Sequence, residues 1–303
     1  MTNHEKLLIR YIETTGRCNL HCPVCVNRFR NFDMPIEDFR SIIDTNIDIL
    51  DRNWLWLDFN GEPLLDPFFF ERVSYLRKNN IRVHISTNGL LLTEDTCQKL
   101  IDADIRYLVV SVPSLDPETY YQMRGIHALD QVIENIMLLR DLVSINKSSM
   151  QLQAVAIDDG KLDIKSFVQF FHSHGIHAAI HQYTNRAGHS HKEYCVQHKK
   201  ISRGECIGRK QNLVILCDGT VVTCCCDYKG ENSLGNIKDY NYSIKDMINS
   251  GKLDNFLQLQ RHQIYTGACK NCKDWIYFQK DSIEKYVKEF PCEGTPSLRF
   301  KRD

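Results

Sequence analysis

The amino-acid sequence predicts an α/β protein, a partial (β/α)6 barrel followed by a small domain with a β-hairpin and a helix. Two observations predict it. Residues 7–189 alternate β-branched runs with amphipathic stretches in six βα repeats, which implies parallel strands joined by right-handed crossovers. Near residue 190 the alternation stops, and a hairpin signal follows at Asp218-Gly219. We therefore expect a barrel over 1–190 and a small domain over 191–303.

Turn and capping residues delimit the predicted elements. Pro35 suits a first helical turn, Thr93 suits an N-cap, and Asn88-Gly89 ends the third strand. The predicted strands cover residues 7–14, 54–59, 82–86, 107–112, 150–157 and 176–182, and the predicted helices cover 35–50, 67–79, a stretch from 93, 129–145 and 164–174. Beyond a polar linker, the sequence predicts a hairpin over 213–223 and one or two helices over 244–262. An eight-unit barrel needs about 250 residues, so the length favours six units.

Composition excludes several functional classes. The formal net charge is zero, which argues against binding nucleic acid through a basic surface. No apolar run reaches the roughly 20 residues that span a bilayer, and the first residues lack the apolar core of a signal peptide. We therefore expect a cytoplasmic protein without membrane contact. Its thirteen cysteines fall in groups, which in that compartment indicates metal binding rather than disulfides.

Cys18, Cys22 and Cys25 form the most informative group, directly after the first predicted strand. Three thiolates from one short loop can hold three irons of a 4Fe–4S cluster. The fourth iron is then open to a small molecule that can receive an electron. A structural zinc loop is the alternative, but zinc requires a fourth ligand and the loop offers only His21.

This loop resembles the signature of the radical S-adenosylmethionine (radical SAM) superfamily. The resemblance implies that its three cysteines ligate the cluster and that the amino and carboxylate groups of SAM chelate the open iron. Reductive cleavage of SAM then releases a 5′-deoxyadenosyl radical, which abstracts hydrogen from a substrate. An electron donor such as flavodoxin or ferredoxin is implied as a partner. Val24 stands where the family usually has an aromatic residue near the adenine.

Two turns resemble SAM-binding motifs of that family. Asn60-Gly61-Glu62-Pro63 is similar to Gly-Gly-Glu-Pro, which implies that Glu62 accepts from the SAM ammonium while Gly61 permits close backbone approach. Asn88 belongs to a Thr-Asn-Gly motif whose side chains approach the nucleoside in the family. Ordinary turns are the alternative for both motifs.

Ser111 and Arg124 resemble the family's pair for the methionine carboxylate. A guanidinium fork matches a carboxylate, although a surface ion pair is the alternative for Arg124. Pro113 stands where the family often has an aspartate, and Gln153 is a further candidate for the adenosyl side.

Cys206, Cys224, Cys269 and Cys272 form a second constellation. Four thiolates suit a fully ligated auxiliary 4Fe–4S cluster, and a four-cysteine zinc site is the alternative. The spacing resembles the SPASM or twitch extension of radical SAM enzymes. Because residues 273–291 lack cysteine, we expect one auxiliary cluster. Cys217 is not expected to be a ligand, and Cys292 is either a spare ligand or a free thiol. The choice of ligand among Cys224, Cys225 and Cys226 stays open.

Substrate residues are predicted by position alone. Glu13, Asp58, His181 and Tyr183 lie at the carboxyl ends of strands, where barrel active sites collect. The family's substrates are peptides or small polar molecules. Because the cluster loop comes as early as residue 18, we expect no leader-binding domain and favour a small sugar- or aminocyclitol-like substrate of a radical SAM oxidoreductase. Peptide modification is the alternative, and a non-catalytic iron–sulfur or zinc protein is the second alternative.

Overall fold

The computed structural model describes residues 7–26, 31–189, 203, 206, 212–275, 287–290 and 292. Within them, six parallel strands pair in chain order, as predicted for the partial barrel. They are β1 (Leu8–Ile12), β2 (Leu55–Trp56), β3 (Val83–Thr87), β4 (Tyr107–Ser111), β5 (Gln151–Asp158) and β6 (His177–Gln182).

Helices pack on the outer face of these strands. They are α1 (Ile36–Thr45), α2 (Phe69–Lys78), α3 (Glu94–Asp102), α4 (Pro117–Arg124), α5 (Leu129–Ile145) and α6 (Ile164–Ser173). The helix α4 was not predicted, and Asp116 caps it by accepting a hydrogen bond from the Thr119 amide at 2.8 Å. The helix α1 ends at Thr45 rather than at the predicted residue 50, because the side-chain amide of Asn46 donates to the Ile42 and Tyr242 carbonyls.

The C-terminal part extends the barrel sheet instead of forming a sheet of its own. It contains β7 (Asn212–Ile215), β8 (Thr220–Val222), β9 (Ser233–Asn236), α7 (Ile244–Asn249), α8 (Lys252–Arg261) and β10 (Val287–Phe290). The predicted hairpin is the antiparallel pair β7–β8, and β7 also pairs in parallel with β1. At the opposite edge, β10 pairs antiparallel with β6. The predicted domain boundary at 190–191 lies outside the described residues.

The strands divide their side chains between a helix-covered core and the barrel interior. On β4, Leu108 and Val110 join the outer core, while Tyr107 and Val109 face inward. Aromatic rings close the amino-terminal end of the barrel interior. The Trp54 ring centroid lies 4.5 Å from that of His84, and the Tyr107 ring contacts the Trp54 and Trp56 rings edge-on. This aromatic floor leaves the carboxyl-terminal end for a site. In the described residues, no helix has the length and apolarity to cross a membrane.

Candidate cluster and cofactor site

The three-cysteine loop follows β1 at the carboxyl-terminal end of the barrel. Cys22 is buried, whereas Cys18 and Cys25 are partly exposed. The Cys25 amide donates to the Cys22 carbonyl at 3.0 Å, so the second half of the loop is a tight turn. Burial raises the pKa of the Cys18 thiol to about 11, so metal binding must displace its proton. An apolar wall backs the loop and is formed by Leu20, Val24, Met123 and Tyr183.

Gly61 fixes the position of this loop. A Cβ at residue 61 would lie 2.2 Å from the Thr15 carbonyl oxygen and 2.7 Å from that of Arg17, so only glycine fits. The Glu62 amide donates to the same Arg17 carbonyl at 2.7 Å. The close approach that Gly61 permits is therefore to the chain's own backbone ahead of Cys18.

Glu62 links the turns after β2 and β3. Its side chain is 3% exposed, and its carboxylate accepts from the Thr87 hydroxyl at 2.8 Å and the Asn88 amide at 2.8 Å. Burial raises the pKa of Glu62, and these donors together with the nearby Arg124 guanidinium act against that rise. Contact with a SAM ammonium stays a prediction for this carboxylate.

The side chains of Asn88 and Arg124 place polar groups near the cysteine sulfurs. The side-chain amide nitrogen of Asn88, Nδ2, donates to the Asn19 side-chain oxygen at 2.7 Å and lies 4.0 Å from the Cys18 sulfur. Arg124 Nη2 donates to the Ser111 carbonyl oxygen at 2.6 Å, and Nη1 lies 3.7 Å from the Cys22 sulfur. Ser111 therefore contributes its backbone carbonyl here. Within the described chain, Arg124 Nε is buried without an acceptor, which fits an incoming carboxylate beside the cluster loop.

Of four other predicted barrel residues, two are buried and two are partly exposed. Gln153 is buried in the barrel wall on β5, and Tyr183 is buried in the apolar wall behind the cysteine loop. His181 is partly exposed, and burial of its ring lowers its pKa to about 4, so it is neutral at pH 7. Asp58 is also partly exposed.

Glu13 has a different environment from the one predicted. Its carboxylate is fully buried and accepts from the Asn60 amide at 3.1 Å and the Cys217 amide at 3.0 Å. It therefore joins β1 to the turn after β2 and to the hairpin, and it has no surface for a substrate. Cys217 lies in the main core, in keeping with its exclusion from the ligands.

The four cysteines of the second constellation are all buried. Cys224 is close enough to Asp274, two residues after Cys272, to affect the pKa of that carboxyl, so the hairpin end and the CxxC segment converge. Asn232 donates to the Cys269 sulfur at 2.9 Å. Hydrogen bonds of this kind tune iron–sulfur clusters, so the buried thiols fit such a group.

Among the three consecutive cysteines, Cys224 is placed best as a ligand. The Cys226 amide donates to the Cys224 sulfur at 3.3 Å, whereas the Cys225 side chain is partly exposed and lies near Tyr11. Throughout the described residues, no three His, Cys, Asp or Glu side chains are gathered at the spacing of a single-ion site. Cys292 is partly exposed.

Two family models match the chain. The radical SAM superfamily model matches residues 12–150, and the SPASM iron–sulfur cluster-binding domain matches residues 206–273. The chain belongs to the radical SAM superfamily. Its cofactors are therefore a 4Fe–4S cluster, SAM and an auxiliary iron–sulfur cluster.

Curated relatives of this radical SAM protein resemble it over part of their length. It is 25% identical over 177 residues to the tungsten-containing aldehyde ferredoxin oxidoreductase cofactor-modifying protein of Pyrococcus furiosus, covering 56% of this chain and 49% of that protein. It is 31% identical over 145 residues to the AdoMet-dependent heme synthase of Methanosarcina barkeri, covering 46% and 40% respectively. The chain thus spans about half the length of these relatives, or less.

Solved structures share the fold over more of the chain. BtrN in complex with AdoMet and 2-DOIA matches with a TM-score of 0.60 at 21% identity, over 91% of this chain and 97% of BtrN. SuiB of Streptococcus suis, bound to its precursor peptide SuiA, matches with a TM-score of 0.62 at 15% identity, over 80% and 67%.

Hydrogen bonds join the segment after Cys272 of this radical SAM protein to the turn that follows β6. Asp274 accepts from the Asn185 amide at 2.7 Å and from the Ala187 amide at 3.1 Å, while Asn185 accepts from the Lys273 amide at 2.9 Å. Arg186 and Ala187 have φ values of 45° and 57°, a left-handed backbone that is unfavourable for both. Sequence analysis missed Asp274, although its position directly after the CxxC pair was an available signal.

Asn60, which replaces the first glycine of the family motif, has a structural explanation. Its side-chain amide donates to the Tyr228 carbonyl at 3.2 Å, and its backbone amide donates to Glu13. The SAM-motif turn is thereby tied to the segment that follows Cys224. A glycine could not make the side-chain bond.

Replacing Asn60 with glycine is expected to lower the free energy of unfolding by about 1 kcal/mol, through loss of the bond to Tyr228. SAM affinity should stay within about twofold, because the contacts predicted between SAM and the Glu62 and Arg124 side chains do not involve the Asn60 side chain. Chemical denaturation and SAM titration of the anaerobic holoprotein measure the two quantities. Exposed Asn255 in α8, replaced by glycine, controls for the backbone cost of glycine. Unchanged stability together with weakened SAM binding would contradict a structural role for the hydrogen bond from Asn60 to Tyr228.

Proposed function

We propose that this radical SAM enzyme abstracts a hydrogen atom from a small polar, sugar- or aminocyclitol-like substrate and thereby oxidises or otherwise modifies it. The position of Arg124 beside Cys22, with a buried Nε that lacks an acceptor in the described chain, carries the SAM part of the proposal. When bound, the cluster and SAM supply a 5′-deoxyadenosyl radical. Arg124 would hold the carboxylate of SAM, Asn88 would orient its nucleoside, and the apolar wall would limit water.

The barrel interior supports a small polar substrate. Asp58, Ser86 and His181 are partly exposed there, above the aromatic floor. Polar groups that converge over an apolar surface suit a ring with several hydroxyl or amino groups. BtrN, solved with its small ligand 2-DOIA, matches this chain over nearly the full length of both proteins and supports the same choice.

Peptide modification is the alternative. SuiB was solved with a precursor peptide, and anSMEcpe, which matches with a TM-score of 0.62 at 17% identity, was solved with the Kp18Cys peptide. BtrN aligns over 91% of this chain and SuiB in its peptide complex over 80%, which favours BtrN as the model for the whole chain. Membership of an enzyme superfamily argues against the non-catalytic iron–sulfur or zinc protein.

The radical SAM reaction requires a reductant. We propose flavodoxin or ferredoxin in this role, since both deliver single electrons at low potential. A reducing compartment such as the cytoplasm would keep the clustered thiols available for iron.

Anaerobic reconstitution tests the proposal. With dithionite and SAM, the holoprotein should form 5′-deoxyadenosine and contain about eight irons per chain. Small polyols and amino sugars should increase the rate above its substrate-free value, whereas peptides should not. Absence of 5′-deoxyadenosine would refute the radical chemistry, and stimulation by peptides alone would favour the alternative.

A further inference from the structure

Asp58 is a carboxyl group that the SAM site does not use. It lies two residues beyond β2 and alternates with Trp54 and Trp56, which places it on the barrel-facing side above the aromatic floor. Its Oδ1 accepts from the Ser86 amide at 3.0 Å, and the Ser86 hydroxyl also bonds to it. Part of its surface remains accessible.

The contacts of Asp58 differ from those of the structural carboxylates. Glu13 and Glu62 are buried, and each accepts from donors of two different segments. Of the residues described, a single one donates to Asp58, namely Ser86 on β3, through its amide and its hydroxyl. In the described part of the chain, no lysine or arginine forms a salt bridge with it. An accessible but unpaired carboxylate deep in a barrel indicates a binding or catalytic role.

Among the groups of the described residues that face Asp58, none carries a positive charge close enough to pair with it. Tyr11 approaches from β1 with Cys225 and Cys226 beside it, Glu62 approaches from the turn after β2, and Ser86 is neutral. Arg10 affects Tyr11 but forms its ion pair with Asp51. Burial, with a smaller contribution from Glu62, raises the pKa of Asp58 to about 7. A group with this pKa can both accept and release a proton near neutral pH.

We propose that Asp58 accepts the proton of a substrate hydroxyl or amino group, and that the substrate is a cyclic alcohol or amine oxidised at the carbon that bears this group. This inference rests on the proposed function. The C–H hydrogen atom passes to the 5′-deoxyadenosyl radical, and the O–H or N–H proton passes to the Asp58 carboxylate. The remaining electron would pass to a one-electron iron–sulfur acceptor, the auxiliary cluster, which Cys224 would help to hold next to Cys225 and Tyr11. The product is a carbonyl or an imine.

Asp58→Asn tests this role, because asparagine keeps the shape and removes the proton acceptor. The probes are 2-DOIA, myo-inositol and glucosamine, each deuterated on the ring carbons. We expect wild-type holoenzyme to oxidise at least one of them, with a rate that rises with pH through about 7 as Asp58 loses its proton. The variant should still transfer deuterium into 5′-deoxyadenosine, while oxidised product falls about 100-fold and loses that pH dependence. Exposed Asp130 in α5, replaced by asparagine, is the matched control.

A second readout does not depend on turnover. The infrared band of a protonated carboxyl should titrate near pH 7 in wild-type holoenzyme and in Asp130→Asn, and be absent from Asp58→Asn. An unchanged band in Asp58→Asn, or oxidation at the wild-type rate, overturns the assignment. If 5′-deoxyadenosine forms but no probe is oxidised, the inference fails and the SAM chemistry stands. If wild type forms no 5′-deoxyadenosine, the proposed function itself fails.

Discussion

Simultaneous replacement of Cys18, Cys22 and Cys25 by alanine is expected to reduce 5′-deoxyadenosine formation to background. The three irons of the first cluster then lose every protein ligand, and no open iron remains for SAM. Iron content should fall from about eight to about four per chain, because the auxiliary cysteines are untouched. Quantifying 5′-deoxyadenosine and iron on the same anaerobic sample checks both statements.

Two variants serve as controls for this result. Cys97→Ala removes a thiol of α3 that is buried in the outer core, so the variant should keep all the iron and lose only stability. The pair Cys269→Ala and Cys272→Ala should remove the auxiliary iron and preserve the first cluster. Persistent 5′-deoxyadenosine formation in the triple variant would rule out this loop as the site of SAM cleavage.

Arg124→Gln is expected to weaken SAM binding about 30- to 100-fold, the equivalent of a lost charge-assisted hydrogen bond of about 2–3 kcal/mol. The SAM affinity of Arg124→Lys should lie between those of wild type and Arg124→Gln, since lysine keeps the charge and loses the planar fork. Isothermal titration of SAM into the reconstituted protein gives the affinities. The first cluster should remain, because Arg124 contacts the Cys22 sulfur only at 3.7 Å.

Arg106→Gln is the matched control for Arg124. Its guanidinium donates to the Ser149 carbonyl at 3.2 Å, at the end of the barrel away from the cysteines. SAM affinity should not change in this variant. If Arg124→Gln also bound SAM like wild type, Arg124 would serve only to hold the Ser111 carbonyl.

The barrel strands were predictable because their apolar residues report burial directly. The run at 107–112 became β4 almost unchanged, and 129–145 became α5 with the same bounds. β9 and β10 were missed. β9 contains a glycine and polar residues, and both strands lie at sheet edges where pairing with a distant partner decides the structure.

The candidate site shows the same division between local and distant determinants. Cysteine spacing is visible in the sequence itself, so both constellations were predicted from it. The partners of Glu13 are 47 and 204 residues away, and no local pattern indicates that these amides occupy its carboxylate. Asn60 and Asp274 likewise act through segments brought together only by the tertiary fold. Asp58 was predicted as a candidate because the carboxyl ends of parallel strands share one edge.

The pairing of β7 with β1 and of β10 with β6 has a consequence for truncation. Both edges of the six-stranded barrel sheet are covered by strands from the C-terminal third of the chain. A fragment that stopped before Cys206 would leave the amide and carbonyl groups of β1 and β6 open to strands of other molecules. Such a fragment should therefore self-associate, so the C-terminal third of the chain also protects the barrel edges from aggregation.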